Sequence, residues 1–185
     1  MSKALSEMTL AELWRLFPIQ LSEHNPDWAV WYQEERDRLA SILGASVSKI
    51  DHYGSTFVKG LIAKPTVDIL LQIKANADMA AVKNVLVSDR WQVMDNFKHD
   101  KILLNKGYTP EGYADRVFHL HVRNEGDWDE LYFRDYLTSH PTVAAAYAEL
   151  KQRLLILYKH DRDAYTNAKT EFVEFHTAKA KAAQK

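Results

Sequence analysis

The chain of 185 residues carries 24 basic and 25 acidic side chains, a near-neutral balance that supplies no global field for recruiting nucleic acid or an anionic membrane. Its hydrophobic content of 46% and charged content of 26% are those of an ordinary globular domain, and the absence of cysteine excludes disulfides, thiolate metal sites and a cysteine nucleophile. Lys3 and Glu7 interrupt the N-terminus, and no apolar run approaches the roughly 20 residues of a membrane span, so a cytoplasmic protein without signal peptide or membrane association is expected.

Leu5 to Phe17 reads as a short helix, with Thr9 and Glu12 at capping-box spacing and Pro18 ending it. Ile19 to Leu21 is a candidate edge strand. Asn25-Pro26 starts a stronger helix in which Trp28, Trp31, Tyr32, Glu35 and Leu39 recur at helical spacing, and Gly44 closes it. Val47 to Tyr53 reads as a strand entering a Gly-Ser turn. Thr66 to Ile73 is short, apolar and β-branched, the pattern of a central strand, and Asp78 to Val87 reads as a helix packed over it. Trp91 to Met94, Lys101 to Lys106 and Arg116 to Arg123 are three further strands. The last places Val117, His119 and His121 on one face and Phe118, Leu120 and Val122 on the other. From Asp127 the pattern is helical: one helix to Ser139, a second from Pro141 to about Lys159, and a third capped by Asp161. The third runs into a basic tail over 178–185 that is expected to fray. The expected architecture is α+β: a mixed sheet with flanking helices and a C-terminal helical group.

Two constellations carry chemistry. The first joins the turn Tyr53-Gly54-Ser55-Thr56 to Asp68 on the strand twelve residues beyond it. A Gly-Ser turn supplies backbone N–H groups and a hydroxyl to phosphate oxygens. A carboxylate inside Val67-Asp68-Ile69-Leu70-Leu71 is costly unless paired or metal-bound. Asp68 therefore either lines a pocket or forms a structural ion pair, Lys64 being a candidate partner. The second constellation is His119-Leu120-His121, whose two imidazoles share a strand face and suit a metal or an anion, or else a polar solvent-facing side. With Asp68 they would make a two-histidine, one-carboxylate set for a single divalent metal, a set that suits zinc, manganese or iron better than magnesium. Lys64 before Pro65, Arg134 on the first late helix and Lys169 beside Tyr165 are further candidate anion contacts, each with an exposed-charge reading beside it.

Taken together, the segments resemble the GrpB family, small and mostly bacterial proteins with a nucleotidyltransferase-like fold. The resemblance runs through Asn25-Pro26-Asp27-Trp28, His52-Tyr53-Gly54-Ser55-Thr56, Val58-Lys59-Gly60-Leu61-Ile62-Ala63-Lys64-Pro65 and Val67-Asp68-Ile69. It continues through His119-Leu120-His121-Val122, Phe133-Arg134-Asp135-Tyr136-Leu137 and His140-Pro141 to Tyr165 and Lys169. It covers residues 19 to 178 in order, leaving 1–18 as an N-terminal helical extension and 179–185 as the tail. Lys59 stands where the family's turn usually has proline. Compared with active nucleotidyltransferases, Leu70 and the histidine strand stand where further carboxylates would be expected.

The resemblance implies a nucleotidyltransferase-like pocket for a nucleotide or other phosphorylated ligand, held by Gly54, Ser55, Thr56, Lys64, Arg134 and Lys169. A second reading is a single-metal nucleotidyltransferase or phosphohydrolase, with Asp68 and His121 catalytic and Asp68, His119 and His121 on the metal. A third is a non-catalytic domain that stabilises a protein partner, suggested by the occurrence of related domains fused to bacterial dephospho-coenzyme A kinases.

Overall fold

The computed structural model describes residues 3–95 and 101–184. Its centre is a five-stranded mixed sheet with the order β1-β2-β5-β4-β3. The strands are β1 (Val47–Tyr53), β2 (Val67–Ile73), β3 (Gln92–Asp95), β4 (Lys101–Thr109) and β5 (Gly112–Asn124). The β2–β5 pair is parallel; the other pairs are antiparallel. The parallel pair lies at the middle of the sheet, where both faces are covered, and this explains the nearly unbroken apolar run of β2.

Alternation assigns the two faces. Val67, Ile69, Leu71 and Ile73 of β2 lie beside Phe118, Leu120 and Val122 of β5 in the main core. That core is closed by Trp28, Leu39 and Leu43 of α2 (Asp27–Leu43) and by Val82 and Leu86 of α3 (Met79–Ser88). The start of α2 follows from local chemistry: Asn25 Oδ1 accepts from the Asp27 N–H at 2.9 Å, next to a proline that cannot donate. Asp78 performs the same service for α3 through the Ala80 N–H. The opposite face of the sheet carries Asp68 and His119, which are register partners across β2 and β5.

The C-terminal third supplies α4 (Asp129–Ser139), α5 (Pro141–Tyr158), α6 (Arg162–Asn167) and α7 (Thr170–Ala182). These helices pack on the loop between β1 and β2 through Val58, Leu61, Leu137 and Tyr147. The loop is thereby held between the sheet and a helical group.

The N-terminal helix is shorter than the sequence pattern indicates. A 3-10 turn over Leu5–Glu7 precedes α1 (Leu10–Leu16), whose start is set by the reciprocal Thr9–Glu12 capping box. Ile19 to Leu21 is not a strand. The Ile19 N–H donates to Lys159 O at 2.9 Å and its side chain packs with Leu154 and Tyr165, so only Ser22 reaches strand-like pairing, with Ala63. The single helix expected after Asp161 is two, α6 and α7, separated at Ala168 and Lys169. The stretch from Ala178, expected to fray, is helical through Ala182; Lys185 lies outside the described residues.

The β4–β5 hairpin is longer than the sequence pattern indicates, because pairing continues to Thr109↔Gly112. A bulge at Gly107 makes this extension. Its φ of +94° is open to glycine, and a Cβ there would stand 2.2 Å from Arg116 O. The extension brings Tyr108 and Tyr113 together, with ring centroids 5.3 Å apart.

Candidate functional site

The site is built on the face of the sheet turned away from α2 and α3. Tyr53, Asp68, His119 and Asn105 form a row of register partners across β1, β2, β5 and β4. His119 Nδ1 is 3.4 Å from Asp68 Oδ1, and His119 Nε2 is 2.8 Å from the Tyr108 hydroxyl. The imidazole is thus fixed between a carboxylate and a phenol. His121 is one pair further along the same face, packed edge-on against Tyr53, with its Nδ1 buried and unpartnered.

Gly54 leaves β1 with φ +74°, and a Cβ there would lie 2.5 Å from Asp68 Oδ2. The turn therefore needs glycine for two reasons, its backbone conformation and the approach of the Asp68 carboxylate. Phe57 and Val58 N–H groups donate back to Gly54 and Ser55 carbonyls at 3.3 Å, which winds the chain into successive turns. Lys151, from α5, donates to Ser55 Oγ at 3.0 Å and to Ile62 O. It is 3% exposed, with its ammonium 4.7 Å from the centre of the Tyr147 ring.

Lys64 and Lys169 complete a cluster of cations. Both approach the ring of buried Tyr165, at 5.8 and 4.4 Å from its centre. Burial pulls Lys151 down to about 7, assisted by Lys169 and Lys64. Burial likewise pulls Lys169 down to about 7, assisted by Lys64 and opposed by Asp68. Lys64 falls to about 8 through burial and Arg162, again against Asp68. Burial pushes the Asp68 carboxyl up, but His119, Lys64 and His121 together hold it below the usual value. Burial lowers both histidines, His121 to about 3, so neither is a cation at neutral pH. Lys64 and Lys169 thus share the Asp68 carboxylate as a counter-charge, and Lys151 adds a third buried cation beside them.

Beside the turn opens a cleft of about 770 Å³ between Gly54-Ser55 and the helices α4 and α7. Its inner wall is aromatic, with Tyr53, Phe133 and Tyr147. Its outer wall is charged: Asp129 pairs with Lys181 and Glu130 with Arg123, and Glu174 lies beside them.

Gly54, Ser55, Lys64, Asp68, His119 and Lys169 therefore gather in one region with His121 on the same sheet face. Two expected ligand contacts are engaged elsewhere. The Thr56 hydroxyl is buried against His52 Nε2 at 2.9 Å. Arg134 holds the β1 edge: it donates to His52 O at 2.9 Å and to Asp135 at 2.7 Å, lies 3.7 Å from Asp51, and covers the Phe57 ring. Asp68 is not in ion-pair contact with Lys64; its near partner is His119. Among the described residues no group of three or more His, Asp or Glu is arranged to hold a metal ion, so Asp68, His119 and His121 do not form the expected ligand set. The reason is local, since the two nitrogens of His119 face Asp68 and Tyr108.

Three residues escape the sequence pattern. Lys151 carried a signal, because Tyr147, Lys151 and Leu154 form the buried stripe of α5 and a lysine there is anomalous. Tyr108 and Arg162 carried none: their place depends on the hairpin bulge.

The comparisons with known proteins agree with this architecture. The family model described as GrpB protein matches residues 18–179. The Glutamate-rich protein GrpB of Alkalihalophilus pseudofirmus is 31% identical over 158 residues, covering 83% of this chain and 91% of that protein. A UPF0157 protein of Pseudomonas aeruginosa is 35% identical over 159 residues, covering 84% of this chain and 64% of that longer protein. The crystal structure of conserved protein GrpB from Enterococcus faecalis superimposes with a TM-score of 0.76 at 26% identity, over 90% of this chain and all of that one.

Proposed function

The chain belongs to the GrpB family, and from that membership and the lysines gathered at its Gly-Ser turn we propose that its nucleotidyltransferase-like pocket binds a nucleotide or another phosphorylated small molecule. The observation that carries the reading is the mutual approach of Lys64, Lys151 and Lys169, with Lys151 bonded to Ser55 and Asp68 offsetting the charge of Lys64 and Lys169 alone. Burying cations without anions is unfavourable, and it depresses all three lysines. A phosphoryl group supplies the missing negative charge. It would accept from the ammonium groups and the Ser55 hydroxyl, as charge-assisted hydrogen bonds that are stronger than neutral ones.

The adjoining cleft has the volume of a small-molecule site. Its aromatic inner wall suits a ring, and the carboxylates of its outer wall suit hydroxyl or amino donors rather than further phosphates. An anionic end at the turn and a neutral end in the cleft is the polarity of a nucleotide.

Transfer chemistry is a separate matter. With Leu70 in place of a second carboxylate, one acidic side chain on β2 would have to do the work that two-metal sites divide among several. The reading favoured here is therefore binding, with hydrolysis or transfer through Asp68 and His121 as the alternative. A thermal-shift panel of nucleotides, coenzyme A precursors and divalent metals tests it on the native protein and on Lys169→Met. A ligand at 100 times its Kd adds about 2.7 kcal/mol, which raises Tm by roughly 5–10 °C in a domain of this size. The expected result is a shift by a phosphorylated compound that Lys169→Met reduces, its fold intact. A panel in which no phosphorylated compound moves Tm would overturn the proposal. Turnover of the bound compound, lost in a folded Asp68→Ala protein, would establish the enzymatic alternative.

A further inference from the structure

A second pocket, of about 130 Å³, lies where the β4–β5 hairpin meets the loop before β2 and the start of α6. Lys64, Thr66, Tyr108, Tyr113, Asp115 and Arg162 are among its lining residues. Neither Lys151 nor Lys169 lines it, and it is separate from the cleft beside Ser55.

Arg162 is the unusual element. Its Nη2 donates to the Tyr113 hydroxyl at 3.0 Å, and its guanidinium lies 5.3 Å from the centre of the Tyr108 ring. Tyr113 is itself anchored, reaching Phe17 O and Pro18 O at 3.3 and 3.4 Å. The guanidinium is thus oriented by two phenols, and its Nε is buried with no hydrogen-bond partner. Besides burial, the largest influences on it come from Tyr108 and Tyr113. Lys64 brings a second cation to the same walls, and Arg162 is among the groups that make its charge unfavourable. The acidic residue at the rim, Asp115, is exposed. A fixed, planar guanidinium lining a pocket suits an oxyanion.

We propose that this pocket is a phosphoryl-binding subsite in which Arg162 and Lys64 grip one tetrahedral oxyanion. Its volume holds roughly four waters' worth of liquid, the size of one such group and far short of a nucleoside. Tyr113 acts as a positioning residue that aims Arg162, and Thr66 offers a neutral hydroxyl on the facing wall. The subsite goes beyond the proposed reading of the turn and stands without it, because Lys64 is the one cation the two regions share.

The test uses the full chain and inorganic phosphate, followed by the proton–nitrogen NMR signal of the Arg162 Nε–H group. Phosphate titration is expected to shift that signal, and Arg162→Gln to weaken phosphate binding at this pocket by about tenfold or more, as loss of a charge-assisted pair predicts. Lys64→Gln is expected to reduce the shift at equal phosphate, whereas Lys151→Gln leaves it. An Arg162 signal unmoved through the titration would overturn the subsite, as would unchanged phosphate affinity in a folded Arg162→Gln protein. If that variant does not fold, the native titration decides by itself. A nucleoside monophosphate that displaces inorganic phosphate from Arg162 identifies the phosphoryl group of an organic ligand as the occupant; absence of competition identifies free phosphate. Phosphate binding that depends on Lys151 and not on Arg162 would sink this subsite alone. A response at Arg162 with no phosphorylated compound whose binding depends on Lys151 or Lys169 would sink the reading of the Gly-Ser turn alone.

Discussion

Lys151 Nζ stands 3.0 Å from Ser55 Oγ and also donates to Ile62 O, so one ammonium from α5 fastens both ends of the loop between β1 and β2. The two residues lie 96 positions apart, and their contact ties the C-terminal helices to the sheet. Lys151 therefore holds the loop, and under the proposed function it would also offer charge to a ligand beside the turn.

Lys151→Ala separates those roles. Truncation leaves the Ile62 carbonyl and the Ser55 hydroxyl without their donor, and an orphaned buried acceptor costs about 1–3 kcal/mol. The expected outcome is a lower midpoint in urea, together with faster amide exchange across residues 54–62 than in the sheet. A variant whose loop amides stay as protected as those of the native protein would contradict the fastening role.

Gly54→Ala should damage the site more than the fold. The backbone there has φ +74°, and the new methyl would come within 2.5 Å of Asp68 Oδ2. The strained backbone is worth about 1–3 kcal/mol. Displacement of the Asp68 carboxylate from beside the turn should reduce ligand binding beyond that loss. Calorimetric titration with a responding phosphorylated compound, alongside urea unfolding, checks both halves.

The lysines give the site a pH signature. Lys151 and Lys169 near 7 and Lys64 near 8 lie below their ordinary 10.5. Between those folded values and 10.5 the unfolded chain holds more protons, so the lysine contribution to stability rises with pH across that window. A bound anion reverses the preference, because it favours the ammonium forms. Binding of a phosphorylated ligand should therefore take up protons near pH 7–8 and weaken as pH rises further. Asp68 remains ionised and both His119 and His121 remain neutral throughout that window, since all three are held below it. Calorimetry in two buffers of different ionisation enthalpy measures the uptake; identical heats in both would refute it.

Arg134 makes the opposite prediction. Its donors are occupied by His52 O and Asp135, with Asp51 alongside, so Arg134→Ala should lower Tm by several degrees and leave ligand affinity essentially unchanged. A large loss of affinity in a protein of native stability would restore it to the binding surface. Thermal unfolding and a titration on the same preparation distinguish the two.

The sheet was legible in the sequence because its signals are local. The apolar run of β2, the strict alternation of His119 and His121 against Phe118 and Leu120, and the Asn25-Pro26 helix start each report a periodicity or a cap within a few residues. Asp68 was legible as a site candidate for a related reason, since a carboxylate in that run needs a compensating partner. What sequence could not resolve was which partner. Lys64 is the sequence neighbour, yet His119, 51 positions later, takes the place through parallel register. Arg134 had the right chemistry, but its donors go to a backbone carbonyl whose position is fixed by the edge of the sheet. Ile19 to Leu21 had strand composition, and tertiary packing against Leu154 and Tyr165 drew it to the helices instead.

The parallel join of β2 to β5 has a consequence in time. Asp68 and His119 meet only after the intervening α3, β3 and β4 have been accommodated, and Lys151 and Lys169 follow later still from the C-terminal helices. Pairings of such long sequence separation close slowly, because the chain entropy is lost before the contacts repay it. On the ribosome the half of the molecule that holds the Gly-Ser turn and Asp68 emerges without the histidine or either late lysine. The carboxylate then waits in a nascent chain with Lys64 nearby but without its His119 partner, and it acquires the rest of its chemical surroundings among the last events of synthesis.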